Sequence, residues 1–82
     1  MYHTYVLYSK KFDKIYVGYS HDVEKRLVAH NDPRNRGWTK NFQPWELLHI
    51  EEFRTKTEAL IREKQLKSAR GRLYIRNDLL KN

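Results

Sequence analysis

Tyr2-His3-Thr4-Tyr5-Val6-Leu7-Tyr8-Ser9 is followed by Lys10-Lys11-Phe12-Asp13-Lys14 and then by Ile15-Tyr16-Val17-Gly18-Tyr19. The outer two stretches are rich in the β-branched and aromatic side chains that fit a pleated, half-buried surface. The polar segment between them has hairpin length. The stretch therefore predicts an antiparallel hairpin. Gly18, near the end of its second strand, marks a bulge or a close approach to the backbone.

Working outward, Ser20 or Asp22 can cap a helix from about Val23 to His30. Asn31 to Gln43 contains Pro33 and Gly37 without a clear period, which reads as a loop or a short irregular helix. Pro44 precedes a third apolar stretch, Trp45 to Phe53, which reads as a strand. Thr55 or Thr57 then caps a helix from about Glu58 to Ala69, with Gly71 as its stop. Leu73 to Leu80 reads as a final helix whose apolar face is Leu73, Ile75, Leu79 and Leu80. The order is β-β-α-β-α-α. Three strands need covering helices to complete a core, so the expected class is α+β.

The 82 residues (10.1 kDa) form one domain's worth of chain, expected over residues 1–82 without linker or repeat. A chain of this size buries roughly 60% of its unfolded surface, enough for one small core but not for a deep enclosed substrate cavity. Aromatic residues make up 13% of the chain and give that core large pieces. The absence of cysteine excludes disulfide staples, zinc ribbons and thiolate chemistry. No apolar run approaches the ~20 residues of a membrane span, and Met1-Tyr2-His3-Thr4 lacks a signal-peptide profile. A cytoplasmic location without membrane attachment is expected. Lys and Arg total 17 against 10 Asp and Glu, a net charge of +7. That excess favours a polyanionic partner, nucleic acid first.

Polar residues at core positions carry the next signal. In the first helix, Val23, Arg26, Leu27 and His30 share one stripe at helical spacing. Either Arg26 snorkels at its edge with His30 as a satisfied boundary residue, or both line a functional cleft. In the later helix, Glu63 follows Ala59 and Leu60 by one turn and precedes Leu66 by one. A carboxylate in an apolar arc needs a cation or strong donors. An internal ion pair with Arg26 and a metal ligand lining a cleft are the two readings. The loop Asp32-Pro33-Arg34-Asn35-Arg36-Gly37-Trp38-Thr39-Lys40-Asn41 mixes guanidinium, amide, indole and ammonium groups. Such a mixture suits phosphate contact with base stacking, or else a solvated basic loop with Trp38 tucked into the core.

Taken in order, these residues resemble the GIY-YIG nuclease superfamily. Tyr16-Val17-Gly18 matches its second strand motif, while His3-Thr4-Tyr5 keeps only the tyrosine of the first. The first-helix pattern from Asp22 to Asn31, Pro44-Trp45 and the run from Glu58 to Lys67 complete the set. The chain is similar to small stand-alone bacterial members, related to the nuclease part of the ABC excinuclease.

The resemblance implies a three-stranded antiparallel sheet flanked by helices, with the cleft on one sheet face. It also implies phosphodiester hydrolysis assisted by one divalent metal, Mg²⁺ or Mn²⁺. By that analogy Tyr5 takes a proton from the attacking water, Tyr16 assists, Arg26 neutralises the scissile phosphate, and Glu63 holds the metal. His30 stands at a position that is often polar and catalytic. Lys14, Arg34, Arg36, Trp38, Lys40 and Lys67 are the expected nucleic-acid contacts, with DNA ahead of RNA and a protein partner as a source of specificity. Tyrosine is a poor base at its ordinary pKa of ~10, so a cation (Arg26, the metal or Lys14) must favour the phenolate. The competing expectations are a non-catalytic nucleic-acid-binding module of the same fold and a basic structural protein.

Overall fold

The computed structural model describes residues 1–80, so the expectation of one domain over residues 1–82 reaches two positions outside the described residues. Strand β1 (Tyr2–Ser9) is the middle of a three-stranded antiparallel sheet ordered β2-β1-β3, flanked by β2 (Lys14–Ser20) and β3 (Glu46–Phe53). Thr4, Tyr5, Val6 and Leu7 are buried in succession because β1 is covered on both faces. The hairpin register sets Tyr5 opposite Gly18, Val6 opposite Val17 and Leu7 opposite Tyr16.

Side chains alternate across a strand, so this register sorts the core into two layers. Tyr5, Leu7, Val23 and Trp45 pack on one face with Tyr16, Leu27 and Phe42. This layer contains α1 (Val23–His30) and a 3-10 turn at Trp38–Phe42. Val6, Val17, Leu66 and Ile75 pack on the other face with Ile15, Leu48, Leu79 and Leu80. That layer contains α2 (Lys56–Lys67) and α3 (Ala69–Tyr74), which closes in a π-type turn at Ile75–Leu79. The Thr4 hydroxyl donates to the Ala59 carbonyl oxygen at 2.7 Å, tying β1 to α2. The α+β class and the element order agree with the sequence expectation.

Local chemistry sets the helix starts. Asp22 accepts the Lys25 backbone N–H at 3.0 Å and caps α1. Thr55 and Glu58 form a reciprocal capping box at the start of α2. The expected end of that helix was wrong. It stops at Lys67, where the Ser68 hydroxyl accepts the Gly71 N–H and starts α3. Gly71 is therefore not a helix stop. It lies buried inside α3, where a Cβ would sit 2.2 Å from the Gln65 carbonyl oxygen. The last helix starts earlier than Leu73, whose side chain is 62% exposed and does not join the apolar face. Ile75, Leu79 and Leu80 do join it.

Side-chain amides staple the long connection between α1 and β3. Asn31 accepts from the Trp45 N–H at 2.6 Å and donates to its carbonyl oxygen at 2.9 Å. Gln43 donates to the carbonyl oxygens of His30 and Asp32, both at 2.8 Å. Among the described residues, no helix is long and apolar enough to cross a membrane.

Candidate active site

Tyr5 and Tyr16 lie on the same face of the hairpin, in diagonal positions set by the register, with ring centroids 6.3 Å apart. Gly18, directly opposite Tyr5, makes room for them. A Cβ there would meet the Tyr5 hydroxyl oxygen at 2.7 Å, its Cζ at 2.8 Å and Tyr16 Cε1 at 3.0 Å. The close approach expected at this glycine is the approach of a phenol.

Helix α1 brings His30 onto the same two rings. Its Nε2 is 3.1 Å from the Tyr5 hydroxyl, and its ring centroid is 4.6 Å from that of Tyr16. His30 is only 6% exposed, and its Nδ1 lies 3.0 Å from Thr39 Oγ1. Asn35 joins the same chain of hydrogen bonds. Its Oδ1 accepts the Gly37 N–H at 2.8 Å, so its Nδ2 is the group donating to Thr39 Oγ1 at 2.7 Å. The imidazole thus bridges the Thr39 hydroxyl at Nδ1 and the Tyr5 hydroxyl at Nε2, one ring nitrogen carrying the proton in its neutral form. Sequence reading missed Asn35 and Thr39 as members of this chain. Their spacing across a bulged loop carries no period that could have pointed to them.

The Arg26 guanidinium shares the lining of a depression with Tyr16 and is held firmly protonated, first by Tyr5 and then by Tyr16. Burial pushes the Tyr5 phenol up, and Arg26 opposes that without cancelling it. Arg26 is thus the cation acting on Tyr5, but it is not enough to make a phenolate at neutral pH. Burial, and then the nearby Arg26 charge, push His30 down, so its imidazole is neutral at neutral pH. Arg26 itself stays exposed while Val23 and His30 are buried. It sits at the edge of the apolar stripe and touches the site from there.

Glu63 enters from the opposite layer. Its carboxylate acts electrostatically on Tyr5, although α2 packs on the other side of the sheet. Of the expected reacting residues, Tyr16, Arg26 and His30 line a depression on the α1 side of the sheet, and Glu63 is not among its lining residues. Glu63 is not paired with Arg26. Lys67 Nζ lies 3.5 Å from its Oε2, and the Glu63 side chain is 18% exposed. Among the described residues, no three His, Asp or Glu side chains cluster to hold a metal. One part-buried carboxylate fits Mg²⁺ or Mn²⁺, which keep several waters and borrow phosphate oxygens, and does not fit a closed protein cage.

Two depressions meet at Tyr16 and Trp38. One, of about 210 Å³, is lined by Tyr16, Arg26, His30, Trp38 and Thr39. The other is a groove of about 490 Å³ along the β2 edge, with Lys14 and Lys67 on its walls. Trp38 is not tucked into the core. It is 50% exposed and packs on Phe42 and Trp45 with centroids 4.7 and 5.9 Å away. Arg36 and Lys40 stand exposed on the same loop. Arg34 is turned back onto Asp32, with bonds of 3.1 and 3.0 Å to its two carboxylate oxygens, on a wall that it shares with Leu27 and Val28.

Comparison with known proteins bears on this arrangement. A family model described as the GIY-YIG catalytic domain matches residues 1–76. A UPF0213 protein of Staphylococcus saprophyticus is 41% identical over 58 residues, 71% of each chain. The UPF0213 protein YazA of Bacillus subtilis is 37% identical over 76 residues, covering 89% of this chain and 77% of that one. The solution NMR structure of the UPF0213 protein BH0048 from Bacillus halodurans superposes with a TM-score of 0.54 at 28% identity, covering 94% of this chain and 84% of that one.

Proposed function

The chain belongs to the GIY-YIG family, and on that premise we propose that it acts as one nuclease-like domain, a metal-dependent endonuclease that hydrolyses phosphodiester bonds. The substrate is nucleic acid, DNA ahead of RNA, recognised by its structure rather than its sequence, in repair or recombination and with a protein partner adding specificity. One observation carries this reading. Tyr16, the Arg26 guanidinium and a neutral His30 imidazole line one open depression, with the buried Tyr5 phenol held against His30 behind them and a carboxylate from α2 acting on Tyr5.

Hydrolysis requires a deprotonated nucleophile and relief of the charge that builds on the phosphoryl oxygens. Tyr5 takes the proton of the attacking water once it is a phenolate. His30 Nε2 lies 3.1 Å from the same oxygen and, in the tautomer that carries its proton there, steadies that anion. Tyr16, beside both rings, orients the water or the phosphate. Arg26 shares the equatorial charge of the transition state. Glu63 would hold the divalent ion, which supplies charge neutralisation at the phosphate and a polarised leaving oxygen. Lys67 must leave Glu63 for that binding to occur.

The test is metal-dependent cleavage of a labelled branched DNA by Glu63→Gln and Arg26→Ala, with circular dichroism as a check on folding. Arg26→Ala should lose about 10²–10³ in rate, the cost of removing one charge-stabilising donor. Glu63→Gln should abolish the response to Mg²⁺ or Mn²⁺. Folded variants that cut like the parent would remove the assigned site. DNA bound but never cut by the parent would favour the binding-module reading.

A further inference from the structure

The groove along the β2 edge has a composition that the reacting groups do not explain. Its floor is apolar, from Ile15, Val17 and Leu66, and it opens at Tyr16 and Trp38 into the candidate active site. Its walls carry Lys14, Lys67, Arg72 and Arg76. A neighbouring depression continues past Lys67, Arg72 and Arg76 along α3. The basic surface therefore runs on from Tyr16 and Trp38 along α3 as far as Arg76.

Arg76 is held in place across 63 residues of sequence. Its guanidinium donates to the Asp13 carboxylate at 2.8 Å and to the Asp13 carbonyl oxygen at 3.2 Å. Asp13 sits at φ 52°, a left-handed conformation that Asp and Asn adopt more readily than most residues. The same carboxylate oxygen accepts the Tyr8 hydroxyl at 2.8 Å. The hairpin turn thus places the single carboxylate on the groove wall against one of its four cations.

We infer that this groove is a phosphate track for the nucleic-acid chain running on from the scissile bond, with Arg72 and Arg76 as binding residues and Asp13 as a built-in competitor for Arg76. The charge complementarity is local: four cations line the groove, and two of them are already paired, Arg76 with Asp13 and Lys67 with Glu63. Phosphate contacts of this kind orient a substrate without reading its bases. The inference rests on the nuclease reading only for the direction of the chain, since binding can be measured without cleavage.

The experiment is fluorescence anisotropy of a labelled DNA oligonucleotide of about 16 nucleotides, a length typical of single binding sites. It is run in EDTA so that nothing is cut. Arg72→Ala and Arg76→Ala should each weaken binding about five- to tenfold and reduce the salt slope by about one phosphate contact. Asp13→Asn, which keeps the tolerated backbone conformation, should tighten binding about threefold and steepen that slope. The groove assignment falls if both arginine variants bind within about twofold of the parent, or if Asp13→Asn binds no better than the parent. Repeating the series with Mg²⁺ separates the two readings. Groove-dependent binding without cleavage would end the nuclease reading alone, and cleavage with binding unmoved by these variants would end the groove alone. An RNA oligonucleotide of the same sequence distinguishes the two nucleic acids.

Discussion

At the scale of single residues, the site depends on space as much as on reacting groups. Gly18→Ala would put a methyl group 2.7 Å from the Tyr5 hydroxyl oxygen and 3.0 Å from Tyr16 Cε1. One ring or the other must move, and both belong to the proposed chemistry. Cleavage should fall about 10²-fold or more, as misplacements of about 1 Å do, while the circular dichroism spectrum stays near that of the parent. A fully active Gly18→Ala protein would show that the phenols are not held for catalysis. His30 makes a second prediction. Its pKa is lowered by burial and then by Arg26, so the unfolded chain binds the proton more readily than the folded one. Stability from this residue is complete above about pH 6.5, the unperturbed imidazole value, and is lost as pH falls below it toward the folded-state value. Thermal melts of parent and His30→Gln should diverge in slope below that pH; parallel curves would contradict the shift. In the proposed reaction, Tyr5 is raised by burial, so the single-turnover cleavage rate should climb through the alkaline range. A flat profile with chemistry limiting would exclude the tyrosine base.

The element scale explains how two helices from opposite layers reach one edge. Helix α2 must end at Lys67 and turn within one residue so that α3 and Arg72 follow the groove. Ser68 supplies the cap, and Gly71 supplies the clearance against the Gln65 and Leu66 backbone. Gly71→Ala forces backbone apart, so a loss in the range of about 1–3 kcal/mol or more is expected. Thr55→Ala removes only a cap at the other end of α2, worth about 1 kcal/mol. Denaturant midpoints of the two variants should rank in that order; equal midpoints would mean that the α2–α3 corner relaxes freely. Sequence reading placed these helices but misplaced their junction. A glycine after a periodic run looks like a stop when the partner backbone is not visible. Leu73 misled in a different way: it lies in α3 two residues before the buried Ile75, and about 100° per residue sets it on the opposite, exposed face.

For the whole molecule, charge is the property to test. A net charge of +7 on 82 residues, with four cations around one groove, predicts strongly salt-dependent binding of nucleic acid. Four phosphate contacts give a log–log slope of roughly −3. Anisotropy titrations at several salt concentrations measure it directly. A slope near zero would mean that the excess charge serves solubility, which is the structural-protein reading.

Much of this molecule was legible in the chain itself. Alternation and helical period set the strands, the first helix and the α+β class, because side-chain burial repeats with backbone geometry. The ordered set from Tyr5 to Glu63 indicated the family through residue types at given spacings. What period cannot encode is contact between distant segments. The Asn35–Thr39–His30 chain, the Lys67 partner of Glu63 and the Asp13 hold on Arg76 all depend on loops and layers meeting in space. The tertiary structure alone decided that a basic groove lies along the free edge of β2, since only folding brings the two layers' side chains around the same strand.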